Sequence, residues 1–303
     1  MTKLLILSFH GSKRLPKIRE RLEALNLKFK IIYGVDASKK KNISLLKKNY
    51  NKKRAEYFLG RKMSYVEMTA PYAHTKAYKY IIKNKIKNCI ILEDDAWPSK
   101  NLKSWINEKY HNNNPYIIGF SSYDGFVEKK PKFRLFKKYN IHPANTHLIH
   151  VTAYMVNNNF CKIFLKNTKG KICGISDWPF DLLNNKISSS IALPYPVAVD
   201  ESNISLLAKN RDKTTPSYKL KRYIPINIFS FFSFAYYILH IPYLTGRYPN
   251  IQFYREHFYK KKIAALRNII FKNLINTKDI YLNPKFYEND LTKIIKNNYL
   301  LRK

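Results

Sequence analysis

Cysteine is scarce: Cys89, Cys161 and Cys173 are an odd set with no CxxC spacing in 303 residues. That excludes a disulfide framework and points to a reducing compartment. A chain of this length buries a sizeable core without staples. A cleaved leader is also missing from the pattern, because the apolar run after MTK stops at His10 and Gly11, short of the roughly 7 to 15 residues that a signal peptide needs. The expectation is a cytoplasmic protein. Acidic residues are few as well, 20 against 56 Lys and Arg, and the net charge of +36 calls for a polyanionic neighbour. Arginine supplies only 12 of those cations against 44 lysines, and 30 asparagines accompany them. With no zinc-finger spacing and no RNP-like signature either, nucleic-acid recognition is disfavoured.

What is present is a globular composition, 45% hydrophobic and 15% aromatic, too apolar to stay unfolded. Leu4 to Phe9 reads as a buried strand, and a helix follows from Pro16, with Ile18, Leu22 and Leu25 at helical spacing. Phe29 to Tyr33 reads as a second strand, so the opening is a βαβ unit with a right-handed crossover. Residues 37 to 62 are basic and loop-like, and Thr69 with Pro71 has the form of a helix start. Strands are expected at Asn88 to Leu92, Tyr116 to Phe120 and His150 to Val156, with residues 121 to 146 loop-rich between them. Helices follow around Phe160 to Leu165 and from Asp177. The alternation predicts an α/β domain over 1–210 with a largely parallel sheet.

Residues 211–303 differ in kind and form a basic, aromatic, mostly helical tail. Ile224 to Thr245 carries no charge, but Pro225 and Pro242 leave 16 residues between them, about 24 Å of helix against the roughly 30 Å of a hydrocarbon core. Flanked by Lys219, Lys221, Arg222 and Arg247, it reads first as an interfacial anchor, with a core or oligomer contact as the alternative and a true span last.

Chemistry concentrates at Glu93, Asp94 and Asp95, directly after four apolar residues, at the strand end where α/β sheets place ligands. On an extended backbone Glu93 and Asp95 point one way and Asp94 the other, so Glu93 and Asp95 are candidate ligands of a hard divalent cation. The bland alternative is a turn whose acids pair with lysines.

CIILEDDAWP, residues 89 to 98, resembles the Glu-Asp-Asp segment of glycosyltransferase family 25, the lipopolysaccharide and lipooligosaccharide sugar transferases. Glu67 and His74 keep the family's spacing between a Glu and a Ser-His pair, although Thr69, Pro71 and Ala73 depart from its usual residues. Ser8, Arg14 and Asp36 match its first βαβ unit, VTAYMV at 151 to 156 matches its Thr-x-Ala/Gly-Tyr strand, and Asp177, Ser202 and Ile204 match later positions. The likeness covers about residues 3 to 210.

The resemblance implies a GT-A-like, Rossmann-like domain. It implies an inverting transfer of a hexose, galactose first, from a UDP-sugar to a lipid-linked lipooligosaccharide or lipopolysaccharide core. Mn²⁺ or Mg²⁺ at Glu93 and Asp95 would neutralise the leaving diphosphate. Ser8, Arg14, Asp36, Glu67, His74 and Asp94 would line the donor site. Asp177 would be the general base, with Asp181 the second choice; for both, capping a helix N-terminus is the alternative. His147 and His150 are candidate third ligands, Trp178 a stacking platform or a core residue, and His74 a nucleotide contact or a satisfied helix histidine. The protein would lie on the inner face of the inner membrane, whose anionic lipids attract lysines, with no nucleic-acid partner. A basic polyanion-binding protein and a catalytically inactive family member are the rival readings.

Overall fold

The computed structural model describes residues 2–59, 62–108, 110, 112–122, 126–144, 152–172, 187–200, 274–281 and 283–301. The chain opens as a strand β1 (Lys3–Ser8), a helix α1 (Leu15–Ala24) and a strand β2 (Lys30–Tyr33), with β1 and β2 parallel. This is the expected βαβ unit. The segment expected to be loop-like instead forms α2 (Lys40–Lys48) and α3 (Lys52–Leu59). Lysines hide the apolar positions that anchor them: Leu46 and Ala55 are fully buried and pack with Met63, Met68 and Ile172.

Helix α4 (Tyr65–Lys83) begins four residues before Thr69. Ser64 and Glu67 form a capping box there, with the Glu67 amide donating to Ser64 Oγ at 3.3 Å and the Ser64 amide donating to Glu67 Oε2 at 2.9 Å. Pro71 therefore sits inside the helix rather than in its first turn, at the cost of one backbone bond. Next come β3 (Asn88–Glu93), β4 (Ala96–Pro98), α5 (Leu102–Asn107) and β5 (Tyr116–Gly119).

The stretch expected as loop carries three short strands, β6 (Phe126–Glu128), β7 (Phe133–Leu135) and β8 (Tyr139–Pro143). None is longer than five residues, too short for a periodicity to stand out. Strand β9 (Ala153–Asn157) runs directly into α6 (Asn158–Thr168), capped by Asn157, whose side chain accepts from the Phe160 amide. Then follow β10 (Ser188–Leu193), β11 (Val197–Val199), β12 (Leu274–Asn276), α7 (Thr277–Tyr281) and α8 (Thr292–Leu301), the last two separated by 3₁₀ turns.

The main sheet has the order β2-β1-β3-β9-β5-β10-β8-β7. Its pairings set six strands in one direction and β9 and β8 in the other, so it is mixed and mostly parallel in strand direction. Alternation sorts the strands onto two cores. Leu5, Leu7, Ile91 and Val156 face α4 and α6 with Ala77, Ile81 and Phe160, while Leu4, Ile6, Ile90 and Met155 face α1 and α5 with Ile18, Leu22 and Trp105.

The described end of the tail returns to this body. Strand β12 pairs with β6, Ile280, Leu291 and Ile295 join the first core, and Asp290 pairs with Arg21 at 2.9 Å. It contains a strand as well as helices. Residues 201–273, including the aromatic segment at 224 to 245, lie outside the described residues. No helix among the described residues is long and apolar enough to cross a membrane.

Candidate functional site

Strands β1, β2 and β3 are parallel neighbours, and their carboxyl ends meet because Leu7 pairs with Glu93 and Ser8 with Tyr33. Beyond those ends lies a cavity of about 450 Å³, walled on the far side by α4. Ser8, Arg14, Asp36, His74, Glu93 and Asp94 all line it. Small residues make the room. A Cβ added at Gly34 would stand 3.2 Å from Ala73 Cβ, so β2 approaches α4 as closely as those two residues allow.

The acidic run is not used as an extended strand would use it. Strand β3 stops at Glu93 and a turn begins, so Glu93 and Asp94 both line the large cavity. Asp95 lies instead in a pocket of about 10 Å³ with Lys17, Trp97 and Asp200. This corrects the alternation expected for the two metal candidates.

Asp94 is buried and closely held. Ser8 Oγ donates to its Oδ2 at 2.7 Å, Ser12 Oγ donates to the same oxygen at 2.6 Å, and Arg14 pairs with Oδ1 at 2.6 Å. Arg14 also reaches Asp95 Oδ2 at 2.8 Å. Asp95 anchors the neighbouring chain through its backbone carbonyl, which accepts from the Asp200 amide at 2.7 Å. Lys17 pairs with the Asp200 carboxylate.

Glu93 ends a buried chain of side chains. Its Oε1 lies 3.0 Å from His74 Nε2, His74 Nδ1 lies 2.5 Å from the Tyr154 hydroxyl, and that hydroxyl lies 2.8 Å from the hydroxyl of Tyr78. One wiring satisfies these groups: Tyr78 donates to Tyr154, Tyr154 to His74 Nδ1, and His74 Nε2–H to the Glu93 carboxylate. Burial holds Tyr154 well above the usual phenol range, which keeps its proton in place as that donor.

Asp36 sits at the rim, where the Ser38 amide donates to its Oδ1 at 2.9 Å and holds its carboxyl below the usual range. Glu67 does not line the cavity; its carboxylate is engaged in the capping box. Asp177, Asp181, Trp178, His147 and His150 lie outside the described residues. Ser12, Tyr154 and Asp200 enter from the structure. Tyr154 was visible only as a member of the VTAYMV strand, and Ser12 only as a hydroxyl in the loop after β1.

Carboxylate chemistry here suits a hard cation. Asp95 Oδ1 is buried without a hydrogen-bond partner, and burial, with Glu93 and Asp94 beside it and Arg14 opposing, pushes the Asp95 carboxyl up to about 7. A nearby cation would relieve that environment. As folded, Arg14 is the cation on which Asp94 and Asp95 converge. Among the described residues no group of three His, Cys, Asp or Glu side chains gathers for a metal, and Glu93 faces the other cavity.

A cavity at the carboxyl ends of parallel strands is where open α/β sheets place their ligands. The model of glycosyltransferase family 25 (LPS biosynthesis protein) matches residues 1–183, and the chain belongs to that family. Its activity is accordingly glycosyl transfer in lipopolysaccharide biosynthesis.

No curated protein matches the chain. Similar solved structures include mannose-1-phosphate geranyltransferase from Thermus thermophilus, with 8% identity, 63% of this chain and 73% of that one covered, and a TM-score of 0.36. A glycosyltransferase involved in the glycosylation of the major capsid of PBCV-1 has 12% identity over 53% of this chain and 63% of that one, at a TM-score of 0.26. A197 from STIV has 13% identity over 68% and 97%, at 0.31.

Proposed function

We propose that the chain transfers a hexose, galactose first among the candidates, from a UDP-sugar to the core of a lipooligosaccharide or lipopolysaccharide acceptor, with inversion and through a GT-A-like donor site. The observation that carries this reading is the cavity at the ends of β1, β2 and β3, which presents the Arg14 guanidinium and the Glu93 carboxylate to one space. The guanidinium is matched to phosphate oxygens. The N-terminus of α1, directly after Arg14, adds a partial positive charge.

In this reading Ser8 and Ser12 hold Asp94, Asp94 and Asp95 hold Arg14, and Arg14 meets the diphosphate. His74 keeps Glu93 oriented toward the donor, and Asp36 meets it at the rim. Mn²⁺ or Mg²⁺ would supply charge neutralisation at the diphosphate when bound; Asp95, whose Oδ1 has no hydrogen-bond partner, would hold it, while Glu93 faces the donor cavity rather than the Asp95 pocket. Asp177 takes the proton of the acceptor hydroxyl, with Asp181 as the second choice.

Lysine excess favours work on the anionic inner face of the inner membrane, each lysine near the surface contributing about 1 kcal/mol. Binding to phosphatidylglycerol vesicles at low salt, released at high salt, is the expected behaviour.

The direct test incubates the protein with UDP-hexoses and a truncated core acceptor. Release of UDP together with a mass gain of one hexose on the acceptor is expected; neither, across the common UDP-hexoses, would refute the reading.

A further inference from the structure

A second cleft, of about 490 Å³, shares no residue with the donor cavity. It lies at the opposite end of the strands. Tyr116 and Ser188, paired in register, begin β5 and β10, and both line it. The donor cavity sits instead where the parallel strands β1 and β3 finish.

Its floor combines apolar and hydroxyl groups, with Ile118 and Ile141 fully buried and Ser190 beside them. Two aromatic rings form a wall: Phe133 and Tyr110 lie nearly parallel, with centroids 6.2 Å apart and planes 15° from each other. Phe133 is 36% exposed, one of three large hydrophobic side chains among the described residues left so open. The rim carries Lys130 and Lys132, both exposed, against Glu128 as the one acid among the lining residues.

Flat rings, hydroxyls and two lysines around a concave space of ligand size, roughly 300 to 1,000 Å³, are the complement of a saccharide that carries negative charge. The rings supply an apolar face for a pyranose, the serines supply hydrogen bonds, and the lysines meet phosphate or carboxylate groups. We propose that this cleft binds an anionic stretch of the acceptor glycan, away from the place of transfer. The assignment of the glycan as the acceptor rests on the function proposed above. Holding acceptor here raises its concentration around the transferase, as any second binding point does.

The test titrates the full-length protein by calorimetry with a delipidated, phosphorylated core oligosaccharide, without nucleotide. Its dephosphorylated counterpart serves as the comparison. Phe133→Ala and the double variant Lys130→Glu, Lys132→Glu change exposed side chains, so both should fold; unaltered UDP binding checks this, since none of the three lines the donor cavity. Each variant, and loss of phosphate from the oligosaccharide, is expected to weaken oligosaccharide binding about tenfold, with acceptor KM raised and kcat and donor KM unchanged.

Oligosaccharide binding that ignores all three changes would overturn the proposal. So would tighter binding of a single-stranded oligonucleotide with the same dependence on Phe133 and the lysines, which would reassign the cleft to nucleic acid. Transfer activity separates the two readings. A protein that binds the oligosaccharide through this cleft but transfers no sugar keeps the cleft and loses the proposed function, and the reverse result does the opposite.

Discussion

The Arg14 guanidinium lies 2.6 Å from Asp94 and also reaches Asp95 at 2.8 Å, so a single cation closes two carboxylates that follow one another in sequence. The Asp94 side chain is only 4% exposed, and its oxygens are held by that partner and by Ser8 and Ser12. Arg14→Ala removes the cation and leaves the carboxylates behind, which is the costly way to break a buried pair. The expected loss is about 3 kcal/mol of unfolding free energy, measured by urea titration. Arg14→Lys should recover part of it, because lysine keeps the charge and loses the fork geometry. A near-neutral Arg14→Ala would contradict the arrangement.

Tyr154 tests the chain behind Glu93. Its hydroxyl stands between His74 Nδ1 and Tyr78, and Tyr154→Phe deletes it with little change of shape. A buried ring nitrogen then lacks its donor, at about 1–3 kcal/mol. His74 is no longer fixed with its Nε2 proton toward Glu93, so donor affinity should fall along with stability. Tyr78→Phe, one step further from the cavity, should cost stability and leave donor affinity closer to the parent's. Equal effects of the two variants on donor binding would show that the chain does not orient Glu93.

Asp95 predicts a pH dependence of stability. Its folded pKa, pushed up to about 7, exceeds the value near 4 of the unfolded chain. Between those values the native state holds a proton that the unfolded state has released, so this group makes stability fall as pH rises from about 4 to about 7 and level off above. Asp95→Asn removes that slope. Across this window the urea midpoint of the parent should fall more steeply than that of the variant; parallel curves would show that Arg14 fully compensates Asp95.

How much of this was legible beforehand depends on whether one local signal carried the element. The βαβ opening declared itself because Ile18, Leu22 and the run at Leu4 to Leu7 keep their periods, and all of these side chains are buried. Glu93 to Asp95 were visible as a cluster, yet their division between two cavities was not, since alternation holds only while the strand continues, and β3 ends at Glu93. Glu67 kept a family spacing, but the structure gives it a capping role that Ser64 three residues earlier already signalled. The helices at 40 to 59 were missed because the buried residues described in them, Leu46 and Ala55, stand among lysines. Partnership of Ser12 with Asp94, 82 residues away, has no local signature at all.

Ligand-induced stabilisation is the sharpest check on the donor site, because it needs neither the acceptor nor the sugar to be known. A ligand that binds only the folded protein at 100 times its dissociation constant stabilises it by about 2.7 kcal/mol, a rise of a few degrees in thermal midpoint for a chain of this size. UDP with Mn²⁺ should produce that rise in the parent. Asp95→Asn keeps the shape of the pocket at Arg14 and removes the charge that suits a divalent ion, so any part of the shift that requires Mn²⁺ should vanish in it. A shift with UDP that is the same with and without Mn²⁺ would leave Arg14 as the cation that meets the diphosphate. No shift under either condition would remove the donor site from the cavity at the ends of β1, β2 and β3.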